Sequence, residues 1–244
     1  LQSFGRHALG TTPPPLSLSF GTTALWFRIN PACAKVRRMD SAQPQPSGPW
    51  TDEVLAACPV DDHIRLRGAQ MTRLETFVDA AFAFCVTMLV IAVGDLPQSF
   101  AELTDALWQI PAFLASFLQL VMFWLGHRAW SRRYGMDDAV SIWLSLALVA
   151  GVLVIVFPLR VIFGAALHTM TGGIVPATFR IGLSEVPTLF AVYGLAFGTL
   201  SLIIALLFAH ARRRAEDLRL SPVERLDARS NLGAWLILAA TGLV

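Results

Sequence analysis

The chain has 244 residues, 55% hydrophobic and only 15% charged, with a mean hydropathy of +0.58; a soluble domain carries about 45–50% apolar and about 25% charged residues. With 17 glycines, 14 prolines and 3 cysteines, the composition excludes collagen, a disulfide framework and a disordered chain. A formal net charge of +2 is too small to point to nucleic acid, and the long apolar blocks indicate an all-α, polytopic membrane protein.

Residues 1–38 contain no methionine, begin at Leu1 and include Pro13-Pro14-Pro15. They lack the charged, apolar, small-residue order of a signal peptide. Met39 opens a stretch rich in Pro, Ser, Gln and Asp. The expectation is that translation starts at Met39, with Met71 the second candidate, and that residues 1–38 are an over-extended reading frame. Residues 39–70 then form a flexible cytoplasmic segment, and residues 71–244 form the transmembrane domain.

Four full spans are expected, at Phe77–Leu96, Thr104–Gly126, Ala139–Leu159 and Pro187–Ala209. Each has the length and apolar character that crossing a bilayer requires. Thr72 and Glu75 form a capping box just before the first. Pro111, Pro158 and Pro187 are expected near span ends, where a lost backbone bond is best tolerated. The apolar run Leu232 to Val244 reads as a fifth span cut short, since a helix needs about 20 residues to cross.

Arginines alternate across the spans. Arg65, Arg67 and Arg73 precede the first, and Arg128, Arg132 and Arg133 follow the second. The loop from Pro97 to Leu103 has no Arg or Lys, and the loop after the third span has Arg180 with Arg160 at its edge. Arg212, Arg213, Arg214 and Arg219 follow the fourth. This places the N-terminus in the cytoplasm.

The polar residues inside the apolar blocks need reasons. Asp79 is read either as a first-turn carboxylate favoured by the helix dipole or as a membrane site facing water or a partner group. Thr87 is expected to bond its own helix backbone, and Cys85 to act as a small apolar filler. His127 reads as a hydrogen-bond anchor, with Trp124 and Trp130 in an interfacial belt. Neither Cys33, Cys58 and Cys85 nor His168 and His210 have metal-ligand spacing, and no nucleophile–base pair can be assembled. The reading is therefore neither an enzyme nor a metal site.

Phe77, Ala81, Phe84, Met88 and Ile91 recur at spacings of four and three, so they share one helical face. That face is either ordinary helix packing or a pore face, where apolar rings constrict an ion path. The periodicity leaves both open.

Arg73-Leu-Glu-Thr-Phe77-Val78-Asp79, followed by Ala80-Ala81-Phe82-Ala83-Phe84, resembles the opening of the transmembrane protein 175 family, whose signature is Arg-x-x-x-Phe-Ser-Asp. Ser116-Phe117 through Phe123-Trp124-Leu125-Gly126-His127 resembles the end of that family's second span, Phe-Trp-x-x-His. The resemblance runs from about Arg65 to the C-terminus. It implies a potassium-selective channel, also considered as a proton path, built from six-span subunits assembled as a homotetramer in a bacterial inner membrane. The partners it implies are further copies of the chain and the lipid bilayer, not nucleic acid. No cofactor is implied, and potassium is the permeant ion. The first span would line the pore, with constrictions carried over to Phe84, Met88 and Ile91. Arg73, Phe77, Asp79, Trp124 and His127 would hold that span against its neighbours. Val78 departs from the signature serine, and Phe84 stands where the family has Ile or Leu. A secondary transporter and a non-conducting scaffold of the same fold are the competing readings.

Overall fold

The computed structural model describes residues 50–91, 97–175, 182 and 184–242; the expected boundary at Met39 lies outside them. A short helix α1 (Asp52–Ala57) is followed by a hairpin of β1 (Val60–Asp61) and β2 (Ile64–Arg65). Then come α2 (Arg73–Ile91), α3 (Phe100–Trp108), α4 (Ile110–Tyr134), α5 (Ala139–Met170), α6 (Val186–Arg213) and α7 (Pro222–Thr241). Four stretches, Arg73–Ile91, Phe100–Tyr134, Ala139–Met170 and Val186–Arg213, are long and apolar enough to cross a membrane. The protein is a multi-pass helical membrane protein.

Local chemistry sets the helix ends. At the start of α2, the Glu75 amide donates to Thr72 Oγ1 at 3.1 Å, and the Thr72 amide donates to Glu75 Oε2 at 3.0 Å. Both halves of the expected capping box are formed, and α2 starts at Arg73, before the expected Phe77. The second expected span, drawn unbroken from Thr104, is instead two helices meeting at Gln109. Pro111 has no N–H to donate into the last turn of α3, so a new helix opens there with proline in its first turn.

Pro158 corrects another expectation. It lies inside α5, which runs on to Met170 instead of stopping at Leu159. The following residues are mostly apolar apart from Arg160, and buried neighbours let a membrane helix absorb one missing backbone bond. The last helix likewise starts at Pro222, not Leu232. Its signal is a capping box, in which the Glu224 amide donates to Ser221 Oγ and the Ser221 amide donates to Glu224 Oε2.

The core lies between α2, α4, α5 and α6. Val78, Phe82, Cys85 and Leu89 form one stripe of α2 and pack against Leu120 and Phe123 of α4, Leu148, Val152 and Ile155 of α5, and Leu200, Ile204 and Phe208 of α6. Cys85 is the buried filler expected, and Thr87 donates back to the Ala83 carbonyl. Lipid is as apolar as leucine, so close approach matters more than burial here. Where α7 meets α6, a Cβ on Gly194 would fall 2.4 Å from the Gly242 carbonyl oxygen, a contact only glycine permits.

Residues 50–70, expected to be flexible, are folded against one end of these helices. Asp62 and His63 take positive φ of 49° and 68° in the tight turn of the hairpin. Beyond it, the Gly68 amide donates to the Arg132 carbonyl at 3.0 Å, covering the C-terminus of α4. Gly135 closes that helix in the left-handed conformation (φ 56°), with its amide on the Ser131 carbonyl at 2.8 Å. Arg67 is buried in a two-pronged ion pair, both arms 3.0 Å from the Glu224 carboxylate. It is a structural arginine and not a free charge at the membrane surface.

Candidate functional site

α2 has two faces of opposite fate. The Val78–Leu89 stripe is in the core, whereas Phe84 is 52% and Ile91 61% exposed on the other side, with Phe77 also exposed. Ala81 and Met88, between these, are partly buried at the edge of the core. The predicted stripe is therefore real, and within one chain no packing explains its exposed large side chains. On a membrane helix such a row faces either lipid or another protein surface. Val78 is fully buried, so the departure from the signature serine falls in the core and not on this row.

Two polar links tie α2 to α4. The Trp124 indole N–H donates to Asp79 Oδ1 at 2.7 Å, and the Ser131 hydroxyl donates to Glu75. Glu75 and Asp79 are four residues apart, and Trp124 and Ser131 seven, so each pair shares one helix face. Asp79 sits in the second turn because α2 starts at Arg73. The first-turn reading is thereby replaced by the partner-group one. The Arg128 guanidinium lies 5.2 Å over the Trp124 ring on its other side.

His127 extends the network to α5. It is buried, with Nε2 2.9 Å from Ser145 Oγ and its ring 5.6 Å from that of Trp130. Of the five motif residues, Asp79, Trp124 and His127 are thus brought together at one level, while Arg73 and Phe77 are exposed and stand apart from these links. Ser131 and Ser145 were missed in the sequence, and Glu75 was read there only as a helix cap. The heptad spacing of Trp124 and Ser131 is the one signal that could have found part of the set.

A cavity of about 110 Å³ opens beside this network, lined by Glu75, Asp79, His127, Arg128, Ser131 and Arg132 among others. A second, about 290 Å³, is lined by Phe82, Val86, Leu120, Val121 and Trp124, and shares Asp79 with the first. Among the described residues no cluster of three His, Cys, Asp or Glu could hold a metal ion.

Two further polar contacts lie nearby. At the start of α5, His210 Nε2 is 2.7 Å from Asp138 Oδ2. Burial alone would raise the Asp138 pKa, but the Ser141 hydroxyl and His210 outweigh it and hold the carboxyl below its ordinary range. Arg160, expected at a loop edge, is buried within α5, with Nη1 donating to the Leu89 carbonyl at 3.3 Å.

Residues 73–158 match the family model described as endosomal/lysosomal potassium channel TMEM175. A protein of Marivirga tractuosa named a potassium channel is 28% identical over 191 residues, 76% of this chain and 77% of that one. The fold is similar to the crystal structure of a variant of the potassium channel MtTMEM175 in complex with a Nanobody-MBP fusion protein. That similarity has a TM-score of 0.66 and 28% identity, over 75% of this chain and 82% of that one. These relatives are ion channels, not enzymes. The matched segment begins at Arg73, the first residue of α2, and contains both the Asp79–Trp124 and the His127–Ser145 pairs.

Proposed function

We propose that this chain, which is similar to the TMEM175 potassium channels, is a potassium channel subunit whose pore is lined by α2. The observation that carries the reading is the row Phe84, Met88 and Ile91, whose outer members Phe84 and Ile91 are exposed while Met88 lies at the edge of the core, set away from the buried Val78–Leu89 stripe. Four copies facing inward would cover that row and make three apolar rings about 6 Å and about 4.5 Å apart along the axis, from the helical rise. An ion passing such rings must shed or deform its hydration shell, and widening them is the opening step. The links from Glu75 to Ser131 and from Asp79 to Trp124 support α2 from behind. The arginine distribution favours a cytoplasmic N-terminus in a bacterial inner membrane, and proton passage through the same path belongs to this proposal.

Phe84 supports one alternative, a closed or non-conducting assembly, because four phenyl rings fill more of a pore than four aliphatic chains. Ile91→Asn tests the pore face directly. A polar ring holds water where an apolar one excludes it, so ion leak from liposomes carrying the full-length variant should rise severalfold over wild type. Unchanged flux from a correctly assembled variant removes Ile91 from the pore.

A further inference from the structure

Arg160 is 4% exposed in the interior of α5, among the buried Val156, Leu159 and Ile162. An ionisable side chain inside a membrane helix is costly and is kept for a partner or a function. Its partner is unusual: Nη1 donates to the backbone carbonyl of Leu89 at 3.3 Å, across 71 residues of sequence. Leu89 is fully buried, two residues before the last described residue of α2, so this bond joins α5 to the α2 backbone inside the core. The second nitrogen, Nη2, is also buried and has no hydrogen-bond partner among the described residues. A methionine or leucine would fill this space without the cost of desolvating a charge. Packing alone therefore gives no reason for an arginine.

We infer that Arg160 is a positioning residue for the pore: it fixes the axial and rotational setting of the end of α2, and through it the outermost constriction at Ile91. Leu89 is fully buried and Ile91 is exposed; two residues on a helix are about 200° apart, so anchoring one sets the direction of the other. Arg160 touches no ion in this account and acts only through α2. The inference rests on the proposed pore face.

The test uses the full-length protein in liposomes, with potassium and sodium flux measured separately, and size and melting temperature followed in detergent. Arg160→Met should change the potassium-to-sodium flux ratio severalfold, and Arg160→Lys should restore part of it. Leu207→Ala, a core loss on α6, should lower the melting temperature while leaving the ratio alone. Assembled Met and Lys variants with the wild-type ratio overturn the inference, as does an equal change in Leu207→Ala. Where the Met variant does not assemble, the Lys variant decides alone. Wild-type protein that carries no potassium overturns the pore reading itself, and this inference with it.

Discussion

Asp79 and Trp124 show how one hydrogen bond can hold a pore helix in place. The carboxylate is half-buried between α2 and α4, and the indole N–H is its donor at 2.7 Å. Trp124→Phe keeps an aromatic ring, smaller than the indole, and so part of the packing and of the contact with Arg128, while removing the donor. The expected cost is about 1–3 kcal/mol, the penalty of leaving a partly desolvated acceptor unmade, read as a lower melting temperature in detergent. Asp79→Asn in the same background should add little, because the bond is already gone; full additivity would show that the two side chains act independently. The identity of both residues was legible from the signature motifs, but their pairing was not. The reading of Asp79 as a first-turn carboxylate failed because the Thr72–Glu75 box starts α2 four residues earlier than its apolar run suggests.

At the scale of elements, the N-terminal segment and α7 are clasped by Arg67 and Glu224, which are 157 residues apart. The Arg67 guanidinium also donates from Nε to the Leu218 carbonyl, and the Arg65 amide donates to Glu224 Oε1. Removing one partner of such a buried pair leaves the other charge uncompensated, so Glu224→Gln should cost about 3–5 kcal/mol. Burial by itself would raise the Glu224 pKa, but the Arg67 hydrogen bonds and the Ser221 and Arg65 amides hold it below its ordinary value of 4.5. A carboxyl depressed on folding contributes its stability fully above that ordinary value and loses it as pH falls through the lowered one. Wild type should therefore lose stability on acidification below about 4.5 more steeply than Glu224→Gln. Parallel acid profiles would show that the pair contributes nothing.

Helix existence was readable at this scale because span length and apolar content are local properties. The helix ends were less so. Pro158 was expected near a span end, where a lost backbone bond is best tolerated, yet α5 passes through it and carries Arg160 into the interior. The clasp was invisible in advance, since nothing in the local pattern around Arg67 names a partner on α7. For the same reason residues 50–70 read as flexible: their polar composition resembles a linker, and what orders them is the covered end of α4 and a distant carboxylate.

For the whole molecule, the unpaired row on α2 is the feature a single chain leaves unresolved. Periodicity found the row but could not distinguish packing from pore, because both place apolar residues on one face. Within the subunit, packing reaches Ala81 and Met88 but leaves Phe84 and Ile91 exposed, and the proposed pore is what would cover them. The assembly should be a homotetramer, with Phe84, Met88 and Ile91 lining its axis. The most direct measurement is potassium flux into liposomes holding the full-length protein. The account predicts flux driven by a potassium gradient, abolished by removing potassium but not by removing sodium. No flux from protein shown to be folded and tetrameric would contradict it.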